Sequence, residues 1–220
     1  KMGMVEFIGS SSQTVGGTVK TIFEKIKINN PANLYLGKTQ QIDSLLQFVN
    51  GKIYTQADTI IVNNSVSSAI TGYDSTKYIV GVLRRYVVNS TYPLPVGSAL
   101  YYEPATFILT SNTGLTYIDV TFTADNTLTP PSGLTIAGTK PINIFVNSGY
   151  WTIKGNTGYS AVDYNIILQS YGHTNGGGSP VDYGVISRYI SQDWADNGVH
   201  YDSSQVFIGA SILSKRYNLN

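Results

Sequence analysis

The chain has 220 residues, 14 Lys+Arg against 13 Asp+Glu, a net charge of +1 and no cysteine. Only 12% of its residues are charged, about half the usual share of a soluble domain, and 22 Ser, 22 Thr, 17 Asn and 17 Tyr supply a surface that is solvated without being ionised. This excludes a disulfide framework, a thiolate nucleophile and a Cys-type zinc site; the arginines, Arg84, Arg85, Arg188 and Arg216, are scattered, which argues against base-specific nucleic-acid recognition.

The first segment, Lys1 to Ile8, lacks the apolar stretch and cleavage pattern of a secretory signal, and no apolar run approaches the ~20 residues of a membrane-spanning helix. Gly9–Thr18 is rich in Ser and Gly, so residues 1–17 read as a flexible N-terminal arm ahead of a single domain over 18–220. Val19–Ile28 fits either a helical stripe or one face of a strand, and its Ile and Thr content favours the strand. Ile42, Leu45, Leu46 and Val49 fall at i, i+3, i+4 and i+7, with Thr39 as N-cap and Asn50-Gly51 as stop, which predicts one short helix near residues 39–50.

Beyond it the chain reads as short strands at Thr59–Asn63, Lys77–Val88, Thr106–Thr110, Leu115–Thr123, Leu134–Ala137, Ile142–Asn147, Trp151–Lys154, Val162–Ser170, Tyr183–Ile190 and Gln205–Leu213. Leu115–Thr123 alternates most clearly, with Tyr117, Asp119, Thr121 and Thr123 opposite Ile118, Val120 and Phe122. Turn residues punctuate these runs, as in Ser111-Asn112-Thr113-Gly114 and Asn156-Thr157-Gly158. The loop His173–Pro180 holds three consecutive glycines but lacks the Gly-Lys-Ser/Thr ending of a phosphate loop. No repeat of fixed period is evident, which argues against a propeller or solenoid. The expected fold is all-β, an antiparallel β-sandwich of the jelly-roll kind.

Catalytic signatures are sparse. A Ser-His-Asp arrangement would have to use His173 or His200, and no Gly-x-Ser-x-Gly turn exists. A carboxylate pair for glycoside chemistry would draw on Asp residues or on Glu6, Glu24 and Glu103. The densest polar cluster runs from Asp193 to Asp202, where Asp193, Asp196, Asn197 and Asp202 surround an Asn-Gly turn. Oxygen ligands at that density suit Ca2+, although the twelve-residue calcium-loop spacing is absent; an ordinary solvated turn accounts for the same residues. Trp151, Trp194 and Tyr201 offer aromatic surface for a sugar, or simply pack on the sheet. Tyr171, Tyr183, Tyr189, Trp194 and Tyr201 are candidates for a contact between subunits, since such residues give large area at small entropy cost. Asn63-Asn64-Ser65 and Asn89-Ser90-Thr91 match the N-glycosylation acceptor pattern.

An uncharged Ser/Thr/Asn/Tyr surface, a Gly/Ser-rich arm, about ten strands and no catalytic signature together resemble the single jelly-roll structural proteins of virions. Within that group the chain looks most like a penton-base or minor capsid subunit of the turreted icosahedral viruses of thermoacidophilic archaea. The resemblance implies a non-enzymatic capsid protein located in the virion, a homo-oligomer with a pentamer favoured, and contacts with other capsid or surface-spike proteins. It also implies that Lys1, Lys20, Lys25 and Lys27 sit where the arm meets an internal membrane or genome phosphates. Two other roles share the same composition: a strand-donating subunit of an extracellular filament or phage tail, using Met4–Ile8, and a carbohydrate- or receptor-binding β-sandwich.

Overall fold

The computed structural model describes residues 3–136, 140–175, 184–188, 192–200, 206–208 and 211–219. It is all β; among the described residues the sole helical element is one 3-10 turn at Ser67–Ala69. The first half contains β1 (Met4–Ile8), β2 (Gln13–Val15), β3 (Thr21–Asn29), β4 (Leu34–Leu36), β5 (Gln40–Asn50), β6 (Ile53–Val62), β7 (Ile70–Thr71), β8 (Ile79–Tyr86), β9 (Thr91–Leu94) and β10 (Val96–Gly97). The pairings β1–β3–β5, β2–β4–β6–β8–β10, β5–β6 and β5–β7 are all parallel. A parallel pair needs a long return connection, and here the rest of each coil supplies it. The result is a β-solenoid.

Three ladders run up the coil. Gln13, Leu34, Ile53, Ile79 and Val96 are successive partners on one wall; Thr21, Gln40, Ile60 and Leu83 on the second; Val5, Ile26, Leu46 and Ile70 on the third. Inside, Leu34, Ile53, Ile60, Leu46 and Ile26 are each at most 1% exposed. Stacked aliphatic side chains of this sort fill a coil to the density of a protein interior. The corners are polar and specific. Buried Asn30 donates through Nδ2 to the Ser11 carbonyl at 2.8 Å and to Gln13 Oε1 at 2.9 Å, and its Oδ1 accepts the Ala32 N–H at 2.9 Å. At the next corner Gly51 has φ +82°, and a Cβ there would lie 1.9 Å from the Asn30 carbonyl oxygen, so no other residue fits.

The second half contains β11 (Ala105–Thr113), β12 (Tyr117–Thr123), β13 (Thr135–Ile136), β14 (Lys140–Pro141), β15 (Tyr150–Gly155), β16 (Ala161–Ser170), β17 (Val199–His200), β18 (Val206–Ile208) and β19 (Ser211–Leu219). These pair antiparallel. β12 and β15 extend the solenoid sheet beyond β8, and β9, β11, β16, β19 and β17 form a second sheet. Phe107, Leu109, Ile118, Val120 and Ile166 belong to one core with the coil. At the changeover from parallel to antiparallel, Arg84 pairs with Asp119 through two bonds of 2.6 and 2.7 Å, and its guanidinium lies 3.9 Å from the Tyr117 ring centroid.

The all-β class and the alternation of 117–123 hold: Ile118, Val120 and Phe122 are buried and their neighbours are not. A sandwich-like arrangement of sheets also fits, but the jelly roll does not, because the first half is a parallel coil, and this also overturns the reading that no solenoid is present. Along the first wall the coil lengths are 21, 19, 26 and 17 residues, so there is a structural repeat without a fixed sequence period.

The helix expected near residues 39–50 is β5. Phe23 pairs with Ile42 but Lys25 pairs with Leu45, so Asp43–Ser44 carries an extra residue where the strand turns the corner between two walls. Ile42, Leu46 and Phe48 are buried in the same strand phase, while the apolar Leu45 and Val49, which complete the helical spacing in the sequence, are only half-buried. Thr39 caps no helix; its Oγ1 donates to Asp58 Oδ1 at 3.1 Å and accepts the Thr59 N–H at 3.3 Å.

Within the segment read as a flexible arm, residues 4–8 and 13–15 are strands of the first coil. The strand expected at Ile142–Asn147 is not formed; a short β14 precedes it at Lys140–Pro141. Lys1, Gly176–Pro180, Tyr183, Tyr189, Tyr201 and Asp202 lie outside the described residues.

Candidate functional site: an open coil and a tyrosine-walled groove

Among the described residues no strand covers the outer side of the first coil. Among the described residues, β1 pairs only with β3 and β2 only with β4, so each carries a free main-chain edge. The third wall shows the effect on the core: Val5 is 42% exposed, whereas its ladder successors Ile26 and Leu46 are 1% and 0% exposed. Met4, Ile8, Val19 and Ile22 are exposed as well, and Phe7 and Phe23, in edge contact at 6.4 Å, are only partly covered. Glu6 and Lys27 are 3.0 Å apart at this end, and with Asn29 that lysine holds the Glu6 carboxyl below its ordinary range. An exposed apolar edge strand is a template for another strand.

A second feature faces outward on the first wall. There Thr14, Tyr35, Tyr54, Val80 and Gly97 follow one another up the ladder. Tyr35 and Tyr54 stack at 4.8 Å with 13° between their planes. Above them come Val80 and Gly97, where the Tyr101 carbonyl and the Tyr78 ring take the place of a side chain, and a groove of about 380 Å³ borders Tyr54, Val80 and Gly97.

Gln56 and Gly81 line its floor. The register between β6 and β8 breaks between Tyr54 and Thr59, and in that bulge Gln56 takes φ +54°, a conformation that strains a non-glycine residue. Buried Thr55 holds the bulge by accepting the Val82 N–H at 2.8 Å. The opposite wall is Phe122, Thr123 and Ala124. Trp151 meets Phe122 edge-on at 5.0 Å and donates its Nε1–H to the Glu103 carbonyl at 2.8 Å, so this wall is anchored from behind.

Glu103 is the chain's one fully buried carboxylate among the described residues. Its Oε1 accepts the Gly172 N–H at 2.7 Å and its Oε2 the Tyr171 N–H at 3.2 Å, with the Ser170 hydroxyl also bonded to it. Burial outweighs these bonds and pushes the carboxyl up to about 7. Tyr78, Tyr102 and Tyr171 form a tilted ring series beside it, with centroids 5.3 and 5.8 Å apart, and burial raises the Tyr78 and Tyr102 hydroxyls. A general acid must reach a substrate, and a fully covered Glu103 does not; it ties the 170–172 turn to the coil.

The residues singled out in the sequence are dispersed. Tyr171 packs on Tyr102, and its hydroxyl accepts from Gln169 at 2.9 Å. Trp194 meets Phe145 edge-on at 5.1 Å, with the Arg188 guanidinium 4.6 Å from its ring centroid, so it is engaged within the chain. Asp193, Asp196 and Asn197 lie in one loop, but the carbonyls of Asn197 and Gly198 face a cation already present: buried Arg216 donates to both and, at 3.0 Å, to the Val185 carbonyl. Among the described residues no group of three His, Asp or Glu side chains is placed to hold a metal. Asn63 and Asn89 are both exposed.

Tyr35, Tyr54, Gln56 and Phe122 were not singled out from the sequence; the signal for them is the spacing of the walls, visible once the register is known. No protein-family model, curated protein or solved structure matches this chain, so its function is argued from its own residues.

Proposed function

We propose that this chain is a non-catalytic structural subunit that associates with a second copy of itself through the open first coil. The observation that supports this is the gradient from Val5 to Ile26 and Leu46: a core that is sealed two strands in is left uncovered at its end. An apolar strand edge left open is a template for a further strand, and Met4, Val5, Ile8 and Ile22 give this coil such an exposed apolar surface. Two copies related by a twofold axis would pair their β1 edges antiparallel and cover the same residues on each side. Low charge suits such contact, because like charges on identical surfaces repel.

Of the roles expected from composition, a free apolar β1 edge fits the filament or phage-tail subunit, with the twofold pair as its building block, better than the penton base. A jelly-roll shell subunit needs two facing antiparallel sheets, and the parallel ladders of residues 4–97 take up the half of the chain that would have to supply one of them. A virion or an extracellular location fits either role.

The test is sedimentation equilibrium of the purified chain beside a Val5→Lys/Ile8→Lys double variant. The parent should associate reversibly in the micromolar range and the variant should remain monomeric with an unchanged β spectrum. A parent that stays monomeric at a few hundred micromolar, or a variant that associates as well as the parent, contradicts the proposal.

A further inference from the structure

We infer that the groove above Tyr54 is a binding site for a neutral carbohydrate, one pyranose ring of an oligosaccharide lying with its C–H face against the Tyr54 ring. The argument starts from the interrupted stack. Tyr35 covers one face of Tyr54 at 4.8 Å, and on the other side the ladder offers only Val80 and then Gly97, so part of that face borders the groove. A flat ring with an apolar face fits there, where a third tyrosine would have continued the series.

The lining decides the class of ligand. Tyr54, Gln56, Gly81, Ser98, Phe122 and Thr123 are all uncharged, as are the remaining lining residues, so nothing rewards a phosphate, sulfate or uronate. Lys52, the cation of the neighbouring Tyr78 ring, is already bonded to the Tyr78 hydroxyl at 2.8 Å and the Ala99 carbonyl at 2.9 Å. The Gln56 amide is exposed and makes no hydrogen bond within the chain among the described residues, and its strained backbone holds it at the groove floor. An aromatic wall with a few fixed polar groups is the usual composition of a small-molecule site, and about 380 Å³ lies within the usual range. The anchored Phe122 wall and the Thr55-held bulge mean that the groove exists before a ligand arrives, which lowers the entropy lost on binding.

The experiment titrates the chain with neutral hexasaccharides (cellohexaose, xylohexaose, mannohexaose and maltohexaose), with hexagalacturonate as the charged control, and reads calorimetry. The expected result is saturable binding of at least one neutral hexasaccharide at millimolar or lower concentration. Val80→Tyr, which sets a third ring on Tyr54 and fills the groove, should weaken that binding at least tenfold, as should Tyr54→Ala, while the melting temperature shows that both variants fold. No binding by any neutral probe at 10 mM, binding of hexagalacturonate alone, or binding unchanged in folded Val80→Tyr would each overturn the assignment. Because Val80 and Tyr54 are remote in sequence from the β1 edge, the Val5→Lys/Ile8→Lys variant should bind the sugar as the parent does, which keeps this result separate from the fate of the self-association proposal.

Discussion

At the N-terminal end of the coil Val5 is 42% exposed and the outer edge of β1 is unpaired among the described residues, whereas at the other end the ladder passes from β8 into β12 and β15 and Val120 is fully buried. Both ends are made from strands of similar apolar content. What differs is the covering: β12 pairs antiparallel with β8 and β15 pairs with β12 in turn, with Phe107, Leu109 and Ile166 of the second sheet in the same core, while β1 has no partner on its outer side among the described residues. The closed end is also where buried polar groups collect. Arg85 is fully buried there, its guanidinium donating to the Asn64 and Val66 carbonyls and lying 5.2 Å from the Tyr92 ring centroid, and burial pushes it down to about 10. The two terminal nitrogens of Arg85 are thus partnered by carbonyls, while its Nε has no hydrogen-bond partner among the described residues.

The largest expected effect comes from setting the two ends against each other on one ladder. Leu46→Ala should cost about 2–5 kcal/mol, as truncations in sealed cores do, and at about 2–4 °C per kcal/mol for a chain of this size lower the melting temperature accordingly. Val5→Ala, two strands away on the same wall, should cost under about 1 kcal/mol at concentrations where the chain is monomeric. Equal costs in thermal melts would mean that the first coil is as sealed as the third.

Glu103 sharpens the closed end through pH. Its carboxyl is near 4.5 when unfolded and about 7 when folded, so the folded state binds the extra proton between those values and stability rises as pH falls from 7 to 4.5. Such a shift corresponds to about 3 kcal/mol. Glu6, Asp74 and Asp125 are shifted the other way, so their contributions are lost only as pH falls through and below the ordinary carboxylate range, outside this window. Denaturant melts from pH 8 to 4.5 should show the rise in the parent, and Glu103→Gln should remove most of it. A parent that is flat over this range contradicts the buried-carboxyl reading.

A smaller effect is expected at the changeover itself. Asp119→Asn breaks the two-bond pair with Arg84, a partly exposed contact, and should cost about 0.5–1 kcal/mol, with the difference shrinking at high salt. A cost independent of salt would assign the loss to packing on Tyr117 instead.

The uneven legibility of the chain follows the same division. Where a strand alternates without interruption and returns antiparallel, as at Tyr117–Thr123, the inward and outward faces can be named from residue types alone. In the coil the pattern is less plain: the half-buried apolar residues Leu45 and Val49 complete a helical spacing in β5, and coils of 17 to 26 residues along one wall hid the repeat. Short pieces such as β2 and β4 carry too few residues to show a period at all. The groove was invisible for a related reason. Tyr35, Tyr54, Val80 and Gly97 are 19, 26 and 17 residues apart, and only the parallel register sets them in one column. Trp151 and Trp194 stood out by residue type, yet their side chains are engaged within the chain.

The open end is tested most directly by hydrogen exchange of the main-chain amides, resolved by segment, at low and high protein concentration. Self-association through the first coil predicts that protection of Met4–Ile8 and Gln13–Val15 rises with concentration while that of residues 46–48 and 117–123 stays constant. Concentration-independent exchange in the first two segments, in a sample shown to associate, would place the contact elsewhere and contradict the role given to the open coil.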